Sequence, residues 1–506
     1  MIELTDFSPL ATTQSVSTPS RSSIDRCDHF LIAVAKGSAS KALDKLPQGK
    51  QLAELLARAR KHGGDVAHSR GANARSTGLT VASFSKSSAF AALTWAGKIM
   101  RECLRDKPGT LGVYLVGLDA AAEQLAANSL VAAAHAAAFS LPTFKSTKIS
   151  SPRLRMLRLH LTHARLDLDA GRAQALGNNV ARWFTALPPN VLTAAGYRDA
   201  VERLAAPRDI RCRFLGEAAL EKLGAGAFLA VARGNATRDA GILHLKYRPR
   251  RDSGPALALV GKGVLFDTGG TNLKSFHGML DMHTDMQGSA VALGTLLALA
   301  EMRVPYGIDA WLAISENRMA ANSYTSQDLV RAVNGTTIQV IHTDAEGRMV
   351  LADTLALAAR EAPRLIVDYA TLTSACVTAV TERYSGAFSN RPAANQLLVD
   401  AGAASGERIW PFPMDEDFDE LLKSDVADIK QCSAENAGDH ILAARFLNRF
   451  VPPAIPWIHV DLSAGQHKGG LAHIPTEITG FGVRLTIELL QRQFAGPDDL
   501  AKRLAA

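Results

Sequence analysis

The stretch ALALVGKGVLFDTGG, residues 256–270, joins an apolar run to a Gly-rich polar segment. Its first five residues have the length and composition of a strand that is buried on both faces. The polar segment supplies Lys262 and Asp267, and Lys274 and Asp285 follow a short way along the chain. In open parallel sheets, functional side chains gather beyond the carboxyl ends of the strands. The stretch therefore predicts a sheet with a polar, functional edge.

Further runs of β-branched or apolar residues follow the same pattern, with helical stretches between them. They are IDAWLAI (308–314), TIQVI (337–341), RLIVDYA (364–370) and PWIHVDL (456–462). Alternation of this kind is typical of an α/β fold, in which helices flank a mostly parallel central sheet. We therefore predict that residues 171–506 form a larger C-terminal domain that carries the functional edge.

The first third of the chain predicts a smaller N-terminal α/β domain over residues 29–170. Its strand-like runs are FLIAVAKG and LGVYLVGL, and its helical stretches are LAELLARARKHG and an alanine-rich segment at 121–139. An amphipathic linker helix at about 166–187 then ends at two prolines, which cannot donate the next helical hydrogen bonds. We place the domain boundary on this helix, near residue 170.

The composition of the chain argues against a membrane-spanning protein and against a disulfide-rich protein. The chain has 506 residues, of which 47% are hydrophobic and 21% charged, and no uninterrupted apolar run is long enough to cross a bilayer. We expect no membrane partner. The five cysteines are scattered and show no CxxC pairing, which favours a reducing, cytoplasmic compartment. Residues 1–28 are rich in Ser and Thr but too acidic for a transit peptide, so we expect a disordered tail.

The positive charge of the chain lies in its first third. Residues 1–170 hold 22 Lys and Arg against 13 Asp and Glu, whereas the remainder holds 34 against 36. The densest basic stretch contains Lys145, Lys148, Arg153, Arg155 and Arg158. Such a stretch could bind nucleic acid, or it could be an ordinary solvated basic face.

A second acidic segment, HTDAEGRMVLAD, follows the run TIQVI at residues 342–353. Asp344 and Glu346 stand two residues apart just beyond a strand end, so both side chains can point the same way. With Asp267 and Asp285 they bring together four negative charges, which repel one another unless cations neutralise them. Two divalent ions would balance that charge, and Mn²⁺, Zn²⁺, Mg²⁺ and Co²⁺ all accept carboxylate oxygens. The sequence therefore predicts a dinuclear metal site.

Several motifs resemble the signature of the leucyl aminopeptidase family, the cytosol aminopeptidases. They are VGKGVLFDTGGTNLK (260–274), Met282–Asp285, TDAEGRMVLAD (343–353), YATLTSAC (369–376), WPFPMDEDFDELLKSDVADIK (410–430) and TGFGVRLTIELL (479–490). The resemblance covers most of residues 175–490 and implies a dinuclear metallo-exopeptidase that forms a homohexamer. Such an enzyme hydrolyses the N-terminal peptide bond of short peptides through a metal-bridging water or hydroxide. The resemblance also implies a preference for leucine-like or other apolar N-terminal residues.

The same resemblance implies the roles of individual ligands. Asp267 and Glu346 would bridge the two ions, which would be Mn²⁺ or Zn²⁺, or alternatively Mg²⁺ or Co²⁺. Asp344 would complete one metal site, and Lys262 and Asp285 would complete the other. A lysine can bind a metal only when its amine is neutral, and nearby dications lower its pKa.

The resemblance also implies which residues take part in catalysis and which line the pocket for the N-terminal side chain of the peptide. The resemblance implies that Lys274 polarises the scissile carbonyl and that Arg348 holds a bicarbonate that serves as general base. The expected pocket residues are Met282, Thr371, Leu372, Thr373 and Ser374. The family usually has Gly where this chain has Ser374 and Asn where it has His342, so the shape of the pocket is expected to differ.

Two other functions remain open at the level of sequence. The basic N-terminal domain could bind DNA, alone or as a second function, with the remainder of the chain as a scaffold. A scaffold has no need to retain every presumed ligand, and their joint presence favours the enzyme. A related metal hydrolase that acts on another amide, such as a dipeptide or a Cys-Gly conjugate, would use the same ions.

Overall fold

The computed structural model describes residues 2–36, 43–44, 46–147, 154–250, 254–435 and 437–505. The chain divides into two compact units. The smaller unit comprises Phe7–Ala175 and Lys468–Glu477, and the larger unit comprises Met1–Asp6, Leu176–His467 and Ile478–Ala506. Within the described ranges, no helix combines the length and the apolar character needed to cross a membrane.

The smaller unit contains a six-stranded sheet in the order β1-β6-β5-β2-β4-β3. Its strands are β1 (Ala11–Val16), β2 (His29–Ala35), β3 (Val66–Arg70), β4 (Gly78–Phe84), β5 (Thr110–Val116) and β6 (Met156–Leu161). Its helices are α1 (Arg21–Asp25), α2 (Gly49–Lys61), α3 (Ala89–Cys103) and α4 (Ala120–Ala138). All neighbouring strands are parallel except β3 and β4.

Strand β2 shows why this sheet needs helices on both faces. Leu31 and Ala33 belong to a buried cluster with residues of α3 and α4. Phe30 and Ile32 belong to a second cluster, which includes residues of α2. A strand that is buried on both faces has a continuous apolar sequence, and for this reason the sequence predicted β2 clearly.

The N-terminal residues differ from the disordered tail that we expected over 1–28. Strand β1 pairs in parallel with β6 along its whole length, from Ala11 opposite Met156 to Val16 opposite Leu161. The side-chain amide of Gln14 donates to the backbone oxygen of Leu166 at 2.9 Å and accepts from its nitrogen at 2.8 Å. Polar side chains thus anchor this edge strand, so it lacks an apolar signature. In the basic stretch, Lys148 and Arg153 lie outside the described residues.

The larger unit contains an eight-stranded sheet in the order β15-β14-β17-β13-β9-β10-β8-β7. Its strands are β7 (Arg211–Gly216), β8 (Gly241–Tyr247), β9 (Pro255–Asp267), β10 (Gly307–Asn317), β13 (Leu365–Ala370), β14 (Ser385–Ser389), β15 (Ile409–Pro411) and β17 (Trp457–Asp461). The four central strands, β17, β13, β9 and β10, run parallel to one another. The two-domain α/β architecture with a mostly parallel sheet is confirmed.

Helices and short turns surround this sheet. The helices are α5 (Leu168–Thr185), α6 (Ala194–Ala205), α7 (Glu217–Leu223), α8 (Gly226–Ala232), α9 (Phe276–Met279), α10 (Gln287–Glu301), α11 (Glu346–Arg360), α12 (Ser374–Val380), α13 (Ala394–Ser405), α14 (Asp439–Asn448), α15 (Val483–Ile487) and α16 (Pro497–Ala505). Short 3₁₀ turns cover Ala206–Arg208, Met282–Thr284, Thr381–Arg383, Glu416–Leu422 and Ser463–Gly465, and a π-helix covers Glu488–Gln493. The division between the units falls inside α5, beyond the position expected near residue 170.

Strand β9 is longer than the apolar run predicted, because it continues through the glycines of the expected loop as far as Asp267. Gly261 lies against helix α10, and a Cβ there would come within 2.5 Å of the Cα of Ser289. Gly288 on the helix is equally tight, since a Cβ would lie 2.1 Å from the backbone oxygen of Tyr369. These glycines serve close packing of helix on sheet.

The run TIQVI lies outside the central sheet, contrary to our expectation. Strand β12 (Thr337–Gln339) belongs to a three-stranded sheet with β11 (Leu329–Arg331) and β16 (Ile429–Lys430). Only Ile338 of β12 is fully buried, so the strand has one apolar face, unlike the strands of the central sheet. The chain nevertheless leads from β12 to α11, which delivers the second acidic segment to the central sheet.

A buried ion pair joins β13 and β17 and makes stability depend on pH. His459 Nδ1 lies 2.6 Å from Asp368 Oδ1, and Trp457 donates to the other oxygen at 2.6 Å. Burial alone would lower the pKa of His459, but Asp368 outweighs it and the pKa is raised. The charged pair therefore stabilises the fold in full below the ordinary histidine pKa of about 6.5, and this contribution is lost as pH rises through the folded pKa.

We therefore expect the wild-type free energy of unfolding to fall as pH rises above about 6.5, by up to about 1.4 kcal/mol per pH unit from this group. His459→Gln should lose this slope in denaturant titrations at pH 5.5, 6.5, 7.5 and 8.5. His277→Gln is the control because His277 is exposed on the short helix α9. Equal slopes in wild type and His459→Gln would contradict a charged His459.

Candidate metal centre

Four elements bring the predicted ligands to one edge of the central sheet. Lys262 and Asp267 lie on β9, and Asp267 is its last residue. Asp285 ends the turn that leads into α10. Asp344 stands just before α11, and Glu346 is the first residue of that helix. Oxygens of Asp267, Asp344 and Glu346 lie within 4.8 Å of one another, so residues far apart in sequence form one acidic cluster.

Lys262 links two of these acids. Its Nζ lies 2.8 Å from Asp285 Oδ1 and 2.8 Å from Glu346 Oε1, and it donates to the backbone oxygen of Thr371 at 2.9 Å. Gly347 provides the room, because a Cβ there would lie 2.7 Å from Nζ. The lysine thus reaches the acids past the first turn of α11.

Lys274 links the other two acids. Its Nζ lies 2.8 Å from Asp267 Oδ2 and also contacts Asp344 Oδ1. Lys262 is buried and Lys274 is 16% exposed, so solvent screens neither ammonium strongly. The two lysines together place two positive charges among four carboxylates, which leaves the cluster with an excess of negative charge.

The pKa values reflect this excess. Burial, reinforced by Asp267 and Glu346, raises the pKa of Asp344 to about 7. Burial also raises the pKa of Asp285 well above its ordinary value. Burial alone would lower the pKa of Lys262, but Asp285 and Glu346 outweigh it and the pKa is raised. The lowered pKa that we expected for this lysine depends on dications beside it, whose charge would oppose that of the carboxylates.

The donor set fits divalent cations. Asp285 Oδ2 and Glu346 Oε2 are buried, and neither has a hydrogen-bond partner within the described part of the chain. A buried carboxylate oxygen without a partner is costly, and a cation is the partner that such oxygens commonly take. The cluster therefore offers open oxygen ligands as well as unbalanced charge.

Asn317 supports the cluster from the end of β10 and was not singled out in the sequence. Its amide nitrogen donates to Asp267 Oδ1 at 2.8 Å, and the backbone nitrogen of Gly269 donates to the same atom at 2.8 Å. The amide also donates to the backbone oxygen of Thr343 at 3.1 Å. Asn317 thus orients Asp267 and the segment before Asp344 together. The sequence signal that could have indicated Asn317 is its position just beyond the predicted strand at 308–314.

Arg348 lies on the first turn of α11 and is 2% exposed. Its NH2 group lies 2.7 Å from Asp439 Oδ2, and its NH1 group donates to the backbone oxygen of Gln431 at 3.3 Å. Its Nε has no hydrogen-bond partner among the described residues. The guanidinium is therefore held in place and retains one free donor for an anion.

A cavity of about 610 Å³ joins these groups to the predicted pocket residues. The lining includes Lys262, Asp267, Lys274, Met282, Asp285, Asp344, Glu346, Arg348, Thr371, Leu372, Thr373 and Ser374. All twelve residues singled out in the sequence are thus brought together. The lining also contains polar residues that sequence reasoning missed, notably Gln287, Asp461, Ser463 and Gln466. The pocket is therefore more polar than we expected.

Asp461, the last residue of β17, fixes the segment after β13. Its Oδ1 accepts from the backbone nitrogen of Leu372 at 3.1 Å, and its Oδ2 accepts from Thr373 Oγ1 at 2.7 Å. The preceding residue, Thr371, accepts from Lys262 and donates its hydroxyl to Asp285 at 2.8 Å. One short segment therefore contributes both to the acidic cluster and to the pocket beside it.

Known proteins resemble this chain in sequence and fold. The model of the cytosol aminopeptidase family, catalytic domain, matches residues 179–487. A mutant of tomato leucine aminopeptidase has a similar structure, with a TM-score of 0.83 and 25% sequence identity over 97% of this chain and 98% of that chain. The similarity of fold thus extends beyond the residues that the family model matches.

Relatives in bacteria are more similar in sequence. A probable cytosol aminopeptidase of Prochlorococcus marinus is 37% identical over 76% of this chain and 79% of its own length. Those of Syntrophotalea carbinolica and Roseiflexus castenholzii are 40% and 39% identical over 64% and 63% of this chain. The matches span just under two thirds of these two relatives, 65% and 66% of their lengths. This chain is a member of the cytosol aminopeptidase family.

Proposed function

We propose that the protein is a metal-dependent aminopeptidase that hydrolyses the N-terminal peptide bond of short peptides. The observation that carries the proposal is the cluster of four carboxylates and two lysines that lines the cavity, in which buried oxygens of Asp285 and Glu346 have no hydrogen-bond partner among the described residues. Divalent ions fit those oxygens and the excess of negative charge that remains after the two lysines, and a pair of ions would have the Lys262 amine neutral and bound to metal. The relatives named above are aminopeptidases, which supports the reaction.

Each ligand has a proposed place. Asp267 and Glu346 would be ligands of both ions. Asp344 would be a further ligand of one ion, and Lys262 and Asp285 would be further ligands of the other. The ions, when bound, would supply Lewis-acid polarisation of the scissile carbonyl and of the attacking water. We propose Mn²⁺ or Zn²⁺, with Mg²⁺ and Co²⁺ as alternatives that the same ligands accept.

Two cations would act without binding metal. Lys274 Nζ lies 2.8 Å from Asp267 Oδ2 and is not one of the proposed metal ligands, so its ammonium would donate to the carbonyl oxygen as negative charge develops there. Arg348, held by Asp439, would bind a bicarbonate with its remaining donor and place this base beside the cluster. The peptide's free amino group would lie at the acidic end and its first side chain in the pocket.

Metal removal tests this proposal directly. Dialysis against a chelator should abolish release of the chromophore from a panel of aminoacyl anilides, because the buried acids alone supply no Lewis acid. Mn²⁺ or Zn²⁺ should restore the release, and the metal content of the active protein should approach two ions per chain. Hydrolysis of the dipeptide Cys-Gly, followed as the release of free glycine, tests the related amide hydrolases. Full activity in metal-free protein would overturn the proposal.

Assembly, location and a second function are separate proposals. We propose a homohexamer in the cytoplasm, on the family resemblance and on the five cysteines, which are all free. Light scattering should then give a mass near six times the chain mass of 53.9 kDa. The DNA-binding alternative retains only the basic composition of residues 1–170 as support, so the enzyme is favoured.

A further inference from the structure

The cavity presents an accessible carboxylate that lies outside the acidic cluster. Glu382 belongs to the 3₁₀ turn Thr381–Arg383, is exposed, and is one of the residues that line the cavity. Within the described ranges it forms no ion pair, and its carboxylate accepts no hydrogen bond. An exposed glutamate is negatively charged at neutral pH. The cavity surface therefore carries a charge that the fold does not use.

The other acids of the lining are already engaged. Four of them form the acidic cluster and are the proposed metal ligands. Asp439 pairs with Arg348 at 2.7 Å. Asp461 is buried and accepts two hydrogen bonds from the segment after β13. Among the described residues of the lining, Glu382 is thus the acid that is left for a ligand.

Strand pairing places Glu382 beside the expected pocket. Strand β14 follows the turn Thr381–Arg383 and pairs with β17, with Gly386 opposite Asp461. The same turn packs against the turn Ser463–Gly465, which follows β17. Asp461 also holds two residues of the expected pocket through its carboxylate. The charge of Glu382 is therefore brought to the wall along which the first side chain of a bound peptide would lie.

Helix α12 supplies the surface between the start of the expected pocket and Glu382. Ser374 and Val377 line the cavity and stand three residues apart, so they lie on the same face of the helix. Val377 remains 39% exposed. The helix ends at Val380, and Thr381 has φ 59° and ψ −175°, a conformation that is costly for any residue with a side chain. Along this wall the lining changes from a hydroxyl to methyl groups and then to a carboxylate.

This order of groups matches a long cationic side chain. A lysine or an arginine has an apolar stem that can pack on Val377 and a charged head that can pair with Glu382. We infer that Glu382 recognises a positively charged N-terminal side chain, so that peptides beginning with lysine or arginine are preferred to peptides beginning with an apolar residue of similar length. This inference rests on the proposed aminopeptidase function and names its substrate class.

The charges of the lining favour the same substrates. The lysines and the arginine of the lining are all paired with carboxylates. An N-terminal Asp or Glu would therefore meet Glu382 with no unpaired cation beside it to offset the repulsion. Water screens an exposed ion pair, so the expected preference for a cationic side chain is modest, about fivefold.

The test compares substrates that differ by one charge on the metal-loaded wild-type protein. kcat/KM should be about fivefold higher for Lys-anilide than for norleucine-anilide, which lacks only the ammonium group. This ratio should fall as NaCl is raised from about 0.02 M to about 0.5 M, because salt screens an exposed pair. Glu382→Gln should bring the ratio close to one, and Glu382→Lys should favour Glu-anilide over Gln-anilide.

Glu221→Gln is the matched control for these variants. Glu221 is an exposed acid of α7 and does not line the cavity, so its neutralisation should leave the ratio as in wild type. A wild-type ratio of one or below overturns the inference. A ratio above one that Glu382→Gln leaves unchanged also overturns it, because the preference then has another source. Neither result alters the proposed peptidase reaction.

A binding measurement decides the inference even if no anilide is hydrolysed. Free lysine should raise the Tm of the metal-loaded protein more than free norleucine at equal concentration, and Glu382→Gln should remove the difference. In the absence of any hydrolysis the proposed function fails, while the two Tm shifts still test recognition of the cation. Equal Tm shifts in the wild-type protein would overturn the inference.

Discussion

Glu346→Gln is expected to lower kcat/KM for aminoacyl anilides by on the order of 10³-fold or more. The substitution keeps the volume of the side chain but removes a negative charge from the centre of the cluster. Oxygens of Glu346, Asp267 and Asp344 lie within 4.8 Å of one another, and Glu346 Oε2 is buried with no hydrogen-bond partner in the described ranges. A neutral amide is a much weaker ligand for a divalent ion than a carboxylate. The metal content of the purified variant should fall together with its activity.

Glu361→Gln is the matched control for this experiment. Glu361 is 38% exposed and pairs with Lys246 at 3.1 Å near the surface, so its neutralisation should leave kcat/KM within about twofold of wild type. Metal analysis and kinetics on both variants separate loss of a ligand from a general effect of charge. Wild-type activity in Glu346→Gln would mean that this carboxylate has no part in catalysis.

The acidic cluster was predictable because its residues lie next to strand or helix ends within long motifs. Asp267 follows an apolar run, and Asp344 and Glu346 stand two residues apart before a helix. Parallel strands place their carboxyl ends at the same edge of a sheet, which accounts for Asp267. Asp344 and Glu346 follow β12, which lies outside the central sheet, so their place beside Asp267 was expected from the family motif and not from strand order. The distances between them and the role of each lysine as a link between acids required the structure.

The polar lining of the cavity was less predictable than the acidic cluster, because it comes from tertiary packing. Gln287 looks in the sequence like the first residue of a helix, and Ser463 looks like part of a loop after a strand. Gly465 packs against the Gln287 amide, and this tertiary contact has no local sequence pattern that would predict it. Similarly, β1 escaped prediction because an edge strand held by polar side chains has no apolar alternation.

Lys262→Met should lower the free energy of unfolding of the metal-free protein by about 3–5 kcal/mol, the cost typical of removing one partner from a buried ion pair. Lys262 is buried, and its ammonium lies 2.8 Å from both Asp285 and Glu346. Without that charge, the two buried carboxylates lose the cation that they share. Methionine has a similar length, so the change tests charge more than packing. Denaturant titration after chelation measures the difference.

Lys246→Met is the control, since Lys246 is 33% exposed in its pair with Glu361 and should contribute no more than about 1 kcal/mol. If the acids of the cluster are metal ligands, Mn²⁺ or Zn²⁺ should recover part of the stability lost in Lys262→Met, because the dications replace the missing positive charge. The same ions should not rescue Lys246→Met. A loss below about 1 kcal/mol in metal-free Lys262→Met would show that the four carboxylates are neutralised by protonation instead.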